Sequence, residues 1–163
     1  MIELLWVGVS EVLIYPLWVL WAATAAHDTP PLEHNVHQSP IILVHGRACH
    51  QGIWKPLRNF LEKEGYQNIY SLNLDRRRLW MSAKTLSEYE EQLDRCIKKV
   101  IAETGRKPIL IGHSMGGLLS AGAAVRLPAS IEAVITLAAP LEGTEMVPWL
   151  QRRGLPLNAI DQA

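Results

Sequence analysis

PILIGHSMGGLLS, residues 108–120, is the stretch from which the rest of the chain is read. The apolar run 108–113 has the length and β-branched content of a buried strand. The small-residue run 115–127, stopped by Pro128, has the length of a helix. Ser114 stands at the junction, with Gly112 two places before it and Gly116 two places after. A G-x-S-x-G pattern in this setting puts the serine on a sharp, strained turn, its hydroxyl held above the edge of a sheet. The glycines are needed because strand and helix approach too closely there for side chains. The helix starting at Met115 offers free N–H groups and a dipole that favour negative charge beside that hydroxyl. A serine so placed is suited to attack a carbonyl carbon. The bare pattern arises by chance in roughly one chain of this size in twenty, so the flanking strand and helix carry its specificity. The plain alternative is an ordinary strand–turn–helix junction.

Outward from this turn the same alternation repeats. IILVH (41–45) is a short buried-strand run, and IWKPLRNFLEKEG (53–65) sets Trp54, Leu57 and Leu61 at helical spacing before Gly65. NIYSLNL (68–74) alternates like a strand. Thr85 and Glu88 form a capping-box pattern. They open a helix whose stripe runs Leu86, Tyr89, Leu93, Ile97, Val100 and Ile101 and which ends at Gly105. EAVITLAAP (132–140) is a further strand. Strands and helices in strict alternation predict an α/β, doubly wound parallel sheet with helices on both faces.

The first 26 residues differ in composition. Between Leu4 and Ala26 the only charge is Glu11, and about 23 residues suffice to cross a hydrocarbon core. Ten Leu, Ile and Val outweigh the carboxylate by a small margin, and Trp6, Tyr15, Trp18 and Trp21 suit an interface. The favoured reading is an apolar N-terminal helix that anchors the protein to a membrane. A cleaved signal peptide, giving a secreted or periplasmic protein, lacks the usual basic start. A buried helix of the globular domain is the third reading. Residues 27–40, with Pro30, Pro31 and Pro40, read as a linker, leaving 41–163 as the globular part.

Composition excludes several function classes. Lys and Arg number 16, as do Asp and Glu, so there is no field to gather nucleic acid. Cys49 and Cys96 show no metal-ligand or disulfide-framework spacing. Cys96 falls on the apolar stripe of its helix and reads as core. His34 and His37 lie in the proline-rich linker, so no metal site is expected. The basic run DRRRLW (75–80) reads as a solvated loop, with contact to anionic lipid headgroups as the sharper alternative.

An acyl-transfer serine needs two N–H donors for the developing oxyanion: that of the following residue, Met115, and one from the loop after an earlier strand. His45, Gly46 and Arg47 end strand 41–45, where that loop begins. Gly46 permits a tight turn, Arg47 offers its N–H, and His45 is placed to brace the loop.

These stretches, with VITLAAPLEGTE (134–145), resemble the α/β-hydrolases of the bacterial lipase/esterase kind over about residues 41–147. The resemblance implies hydrolysis of carboxylic esters, lipid esters included, without metal or organic cofactor. It implies Ser114 as nucleophile and the Arg47 and Met115 amides as oxyanion donors. It also requires an Asp or Glu and then a His after the nucleophile. The histidines are His27, His34, His37, His45, His50 and His113, and none follows Ser114. Asp161, Glu142 and Glu145 are poor candidates for the acid, and His113 and His50 for the base. The expectation is therefore a hydrolase domain with an incomplete C-terminal half, a truncated form lacking the acid and histidine. Met146, Val147, Trp149 and Leu150 read either as a lid over acyl chains or as core. The competing readings are a thioesterase or acyltransferase on the same scaffold, and a non-catalytic, membrane-tethered module that binds acyl groups.

Overall fold

Four consecutive apolar residues at 41–44 have no polar side to turn to solvent, and the chain buries all of them. In a computed structural model, which describes residues 37–47, 49–74 and 84–142, they form the strand β1 (Ile41–Val44) inside a four-stranded sheet. The others are β2 (Ile69–Leu72), β3 (Ile109–His113) and β4 (Ala133–Leu137), in the order β2-β1-β3-β4 and all parallel. The helices are α1 (Lys55–Lys63), entered through a 3-10 turn at Gln51–Trp54, α2 (Leu86–Thr104) and α3 (Met115–Arg126). The alternation expected from the sequence is thus observed; β1 and β3 are one residue shorter than the runs read for them, β2 three shorter and β4 four shorter.

The pleat sends alternate side chains to opposite faces, and both faces are apolar. On one, Ile42, Val44 and Leu110 pack with Tyr89, Leu93, Ile97 and Val100 of α2 and with Met115, Leu119 and Ala123 of α3. On the other, Ile41, Leu43, Ile69 and Ile111 pack with Ile53 and Trp54, with Leu57 and Leu61 of α1 beside them. Of the stripes read from the sequence, that of α2 buries Tyr89, Leu93, Ile97 and Val100, with Leu86 and Ile101 partly covered, whereas Leu57 and Leu61 of α1 are half-buried. Cys96 packs at the edge of the first core, where burial pushes its thiol up to about 11 and leaves it unreactive at neutral pH. Leu93, fully buried on α2, is expected to cost about 2–5 kcal/mol when cut to alanine, read by urea unfolding.

α2 begins as expected. The Thr85 hydroxyl accepts from the Glu88 N–H, and the Glu88 carboxylate accepts from the Thr85 N–H at 2.7 Å. Its end is the left-handed Gly105 at φ 69°. Arg126, closing α3, donates to Glu90 and Asp94 of α2 at 2.6 and 3.1 Å and ties the two helices together.

Coverage is uneven at β4. Val134 joins the α2–α3 core, but Ile135 and Leu137 on the opposite face are 47% and 41% exposed. α1 packs in the cluster formed over β1, β2 and β3.

The apolar segment 1–26, most of the linker 27–40, the basic run 75–80 and the stretch 143–163 with Glu145, the suggested lid and Asp161 lie outside the described residues. Among the described residues no helix is long and apolar enough to cross a membrane.

Candidate active site

The strand order places one special point on this sheet. From β1 the chain moves outward to β2, whereas from β3 it moves to β4 on the opposite side. Loops leaving β1 and β3 therefore diverge, and the crevice beyond their carboxyl ends is where ligands bind in sheets of this kind. Val44 is in register with Gly112, so His45–Gly46 and His113–Ser114 leave the sheet side by side.

Ser114 takes φ 53°, ψ −123°, well away from the regions that side-chain-bearing residues favour. Such a backbone costs on the order of 1–3 kcal/mol and persists only where its surroundings enforce it. Three bonds enforce it here. The Ser114 N–H donates to the carbonyl of Leu137 at 2.9 Å, which ties the turn to the end of β4. The Ser114 carbonyl accepts from Gly117 and Leu118 as α3 begins, at 2.9 and 3.3 Å. The hydroxyl does not cap the helix. The residue is half-buried at the rim of the sheet.

The glycines act through space. A Cβ on Gly116 would fall on the Val44 carbonyl oxygen and come within 2.6 Å of that of His45. One on Gly112 would overlap the Gly116 carbonyl and lie 2.6 Å from Gly117 Cα. α3 thus rests directly on the backbone of β1 and β3. A Cβ on Gly46 would sit 2.9 Å from Ser114 Cβ, so the loop after β1 passes immediately beside the serine.

The donors expected from the sequence lie at this point. Met115 is the first residue of α3, where a backbone N–H has no acceptor within the helix. Its side chain points down into the α2–α3 core. Arg47 is exposed on the loop, and the Cys49 N–H donates to the Gly46 carbonyl at 3.3 Å, closing the turn that contains Arg47.

His45 is buried (1% exposed) and braces this loop: its Nδ1 donates to the Gly46 carbonyl at 2.8 Å. Its Nε2 accepts from the Leu74 N–H at 3.0 Å. His50 does not face the serine; its Nδ1 accepts from the Gly52 N–H at 3.2 Å and caps the 3-10 turn. His113 is no base in this geometry either. Its Nδ1 is buried without a hydrogen-bond partner among the described residues, and lies 3.2 Å from where a Gly46 Cβ would be. Burial holds this imidazole below its ordinary value of 6.5, so it is neutral at pH 7. The native ring then binds fewer protons than the unfolded one, so its contribution makes stability fall as pH drops below 6.5. His113→Gln is expected to flatten that part of a stability–pH curve relative to the parent chain, with no difference above pH 7.5.

Sequence reasoning missed three participants: the Leu137 carbonyl that holds the Ser114 N–H, Asn73 between His45 and His50, and the Lys84–Gln92 pair behind Asn73. A backbone carbonyl leaves no trace in side-chain pattern. Asn73 does carry a signal, a polar residue between two leucines at the end of a strand.

A strained serine between a parallel strand and a helix, at the strand-order switch and against a glycine loop, has the backbone geometry that a nucleophile elbow requires in an α/β sheet. By sequence, the model of the alpha/beta hydrolase family matches residues 41–162, and the chain belongs to that family. A triacylglycerol lipase of Burkholderia plantarii is 33% identical over 136 residues, covering 79% of this chain and 36% of the lipase. A triacylglycerol lipase of Pseudarthrobacter phenanthrenivorans is also 33% identical, over 119 residues, 69% of this chain and 36% of its own length. The chain thus spans little more than a third of these relatives. In fold it is similar to the mature Bacillus licheniformis lipase BlEst2, with TM-score 0.63 and 22% identity, over 83% of this chain and 58% of that one.

Proposed function

We propose that the chain is a serine hydrolase of carboxylic esters, lipid esters among them, that works through an acyl-Ser114 intermediate. The observation that carries this reading is the backbone of Ser114, at φ 53° and ψ −123°, held beside Gly46 at the open end of β1 and β3. Ser114 Oγ attacks the ester carbonyl and gives up its proton, the alkoxide leaves as the alcohol, and water then releases the acid. The amides of Arg47 and Met115 receive the oxyanion; loss of one such donor costs about 2.7–4 kcal/mol in enzymes of this type. His45, Gly46, Gly112 and Gly116 shape the site without touching substrate. The names of the relatives support an ester substrate, for they include a methyl jasmonate esterase of Vitis vinifera as well as the lipases.

Residues 115–163 contain no histidine, so these residues do not themselves supply a base from the customary place after the nucleophile. Turnover by these 163 residues is therefore expected to be slower by several orders of magnitude than that of a complete triad. A fluorophosphonate probe tests the nucleophile without requiring turnover. Covalent labelling that vanishes in Ser114→Ala is expected. A folded chain that takes no label favours instead a module that binds acyl groups.

The apolar segment 4–26, with Glu11 as its sole charge, supports association with a membrane. Retention of the full chain in the pellet after alkaline carbonate extraction is the expected outcome; release into the supernatant removes the anchor.

A further inference from the structure

The loop that offers the Arg47 N–H is held by more than His45. The Asn73 side-chain amide, just beyond β2, lies between two rings, 3.4 Å from His45 Nε2 and 3.3 Å from His50 Nε2. The other nitrogen of each ring fixes its proton. His45 Nδ1 donates to the Gly46 carbonyl while Nε2 accepts from Leu74, so Nε2 carries no proton and meets Asn73 as an acceptor it shares with the Leu74 N–H. His50 Nδ1 accepts from Gly52, so in the neutral ring the N–H faces Asn73. With the amide oxygen turned to His45, lone pair meets lone pair on one side and N–H meets N–H on the other. The opposite rotamer of the amide, which leaves the heavy-atom positions nearly unchanged, removes both conflicts: the NH2 shares the His45 Nε2 acceptor with the Leu74 N–H, and the oxygen accepts from His50.

Behind the amide the anchorage continues into α2. Gln92 Nε2 donates to the Asn73 carbonyl at 2.8 Å. Lys84 Nζ donates to Gln92 Oε1 at 2.7 Å and to the Leu74 carbonyl at 2.5 Å. Residues 73 and 74 are thereby fixed to a helix of the main core, and they hold both ends of the loop 45–50.

We propose that Asn73 is a positioning residue for ester cleavage: by joining His45 to His50 it fixes the loop between them and so sets the oxyanion donor at Arg47. This rests on the reading of Ser114 as nucleophile. The side chain touches neither the serine nor the substrate. Its effect is on geometry alone, and a donor displaced by about 1 Å can lower the rate 100-fold.

The experiment compares the full chain with Asn73→Leu, similar in size but unable to bond either ring, and with Asn73→Ala in case leucine prevents folding. The rate of Ser114 phosphonylation by a fluorophosphonate, at saturating and subsaturating probe, is expected to fall about 10- to 100-fold in the maximal rate, with the half-saturating concentration little changed. Nitrogen-15 shifts of the histidine rings give a second readout that needs no activity. The parent is expected to show His45 protonated on Nδ1 and His50 on Nε2, and the variant to show His50 as a tautomer mixture. Equal rates in parent and folded variant, or unchanged ring signals, overturn the role of Asn73 alone. A folded parent that takes no label overturns the reading of Ser114, and this inference with it; the labelled parent separates the two failures.

Discussion

Gly116→Ala is expected to leave little folded protein. The added methyl would meet the Val44 and His45 carbonyl oxygens and the Val44 carbonyl carbon, all three of them backbone. No side chain can swing aside, so β1 and α3 would have to separate. β1 is buried along its whole length with strands on both sides, and moving it disturbs both cores at once. A loss above about 4 kcal/mol is the expected scale, at the far end of what single substitutions do. Circular dichroism and thermal melts of the purified variant check this. At Gly122, half-buried where the same helix faces α2, a methyl would meet the movable ends of Arg126 at 3.0 Å and Glu90 at 3.7 Å, both side chains and not backbone. Gly122→Ala is accordingly a control in which α3 gains helix propensity and the fold survives.

The second large effect has opposite signs for stability and chemistry. On the proposed reading, Ser114 bears its backbone strain, at φ 53°, to present its hydroxyl. Ser114→Gly removes the strain and the hydroxyl together. It is expected to raise stability by about 1–3 kcal/mol, a shift of about 2–4 °C per kcal/mol in the melting temperature, while abolishing labelling. Ser114→Ala also abolishes labelling but keeps the Cβ, and its melting temperature should stay close to the parent's. A glycine variant no more stable than the alanine variant would mean that the turn is relaxed and serves only to connect β3 to α3.

Much of the fold was legible because its signals are periodic or punctuated. Ile41–Val44 and Ile109–Ile111 are apolar on both faces, as strands between two layers of helices must be. Tyr89, Leu93, Ile97 and Val100 mark one side of α2, and Thr85, Glu88 and Gly105 mark its ends. The turn at Ser114 was legible for a different reason: glycines at 112 and 116 are demanded by a close approach that few other structures need. Features that depend on distant strands meeting were not legible. Asn73 reaches His45, Gln92 reaches Asn73, and the Leu137 carbonyl holds the Ser114 N–H; each joins segments whose proximity exists only once the sheet is assembled. The uneven cover of β4 escaped for the same reason, since Ile135 and Leu137 look like core residues until the place of α1 is known.

The bend at residue 114, with its oxygen facing a pair of backbone amides, is the claim on which the chemistry stands. A crystal structure of the chain after reaction with a fluorophosphonate addresses it most directly. Phosphorus bonded to Ser114 Oγ, with the phosphonyl oxygen about 2.7–3.1 Å from the N–H groups of Arg47 and Met115, is the expected result. Phosphorus bonded to another side chain, or an adduct at Ser114 whose phosphonyl oxygen faces away from both amides, would contradict it.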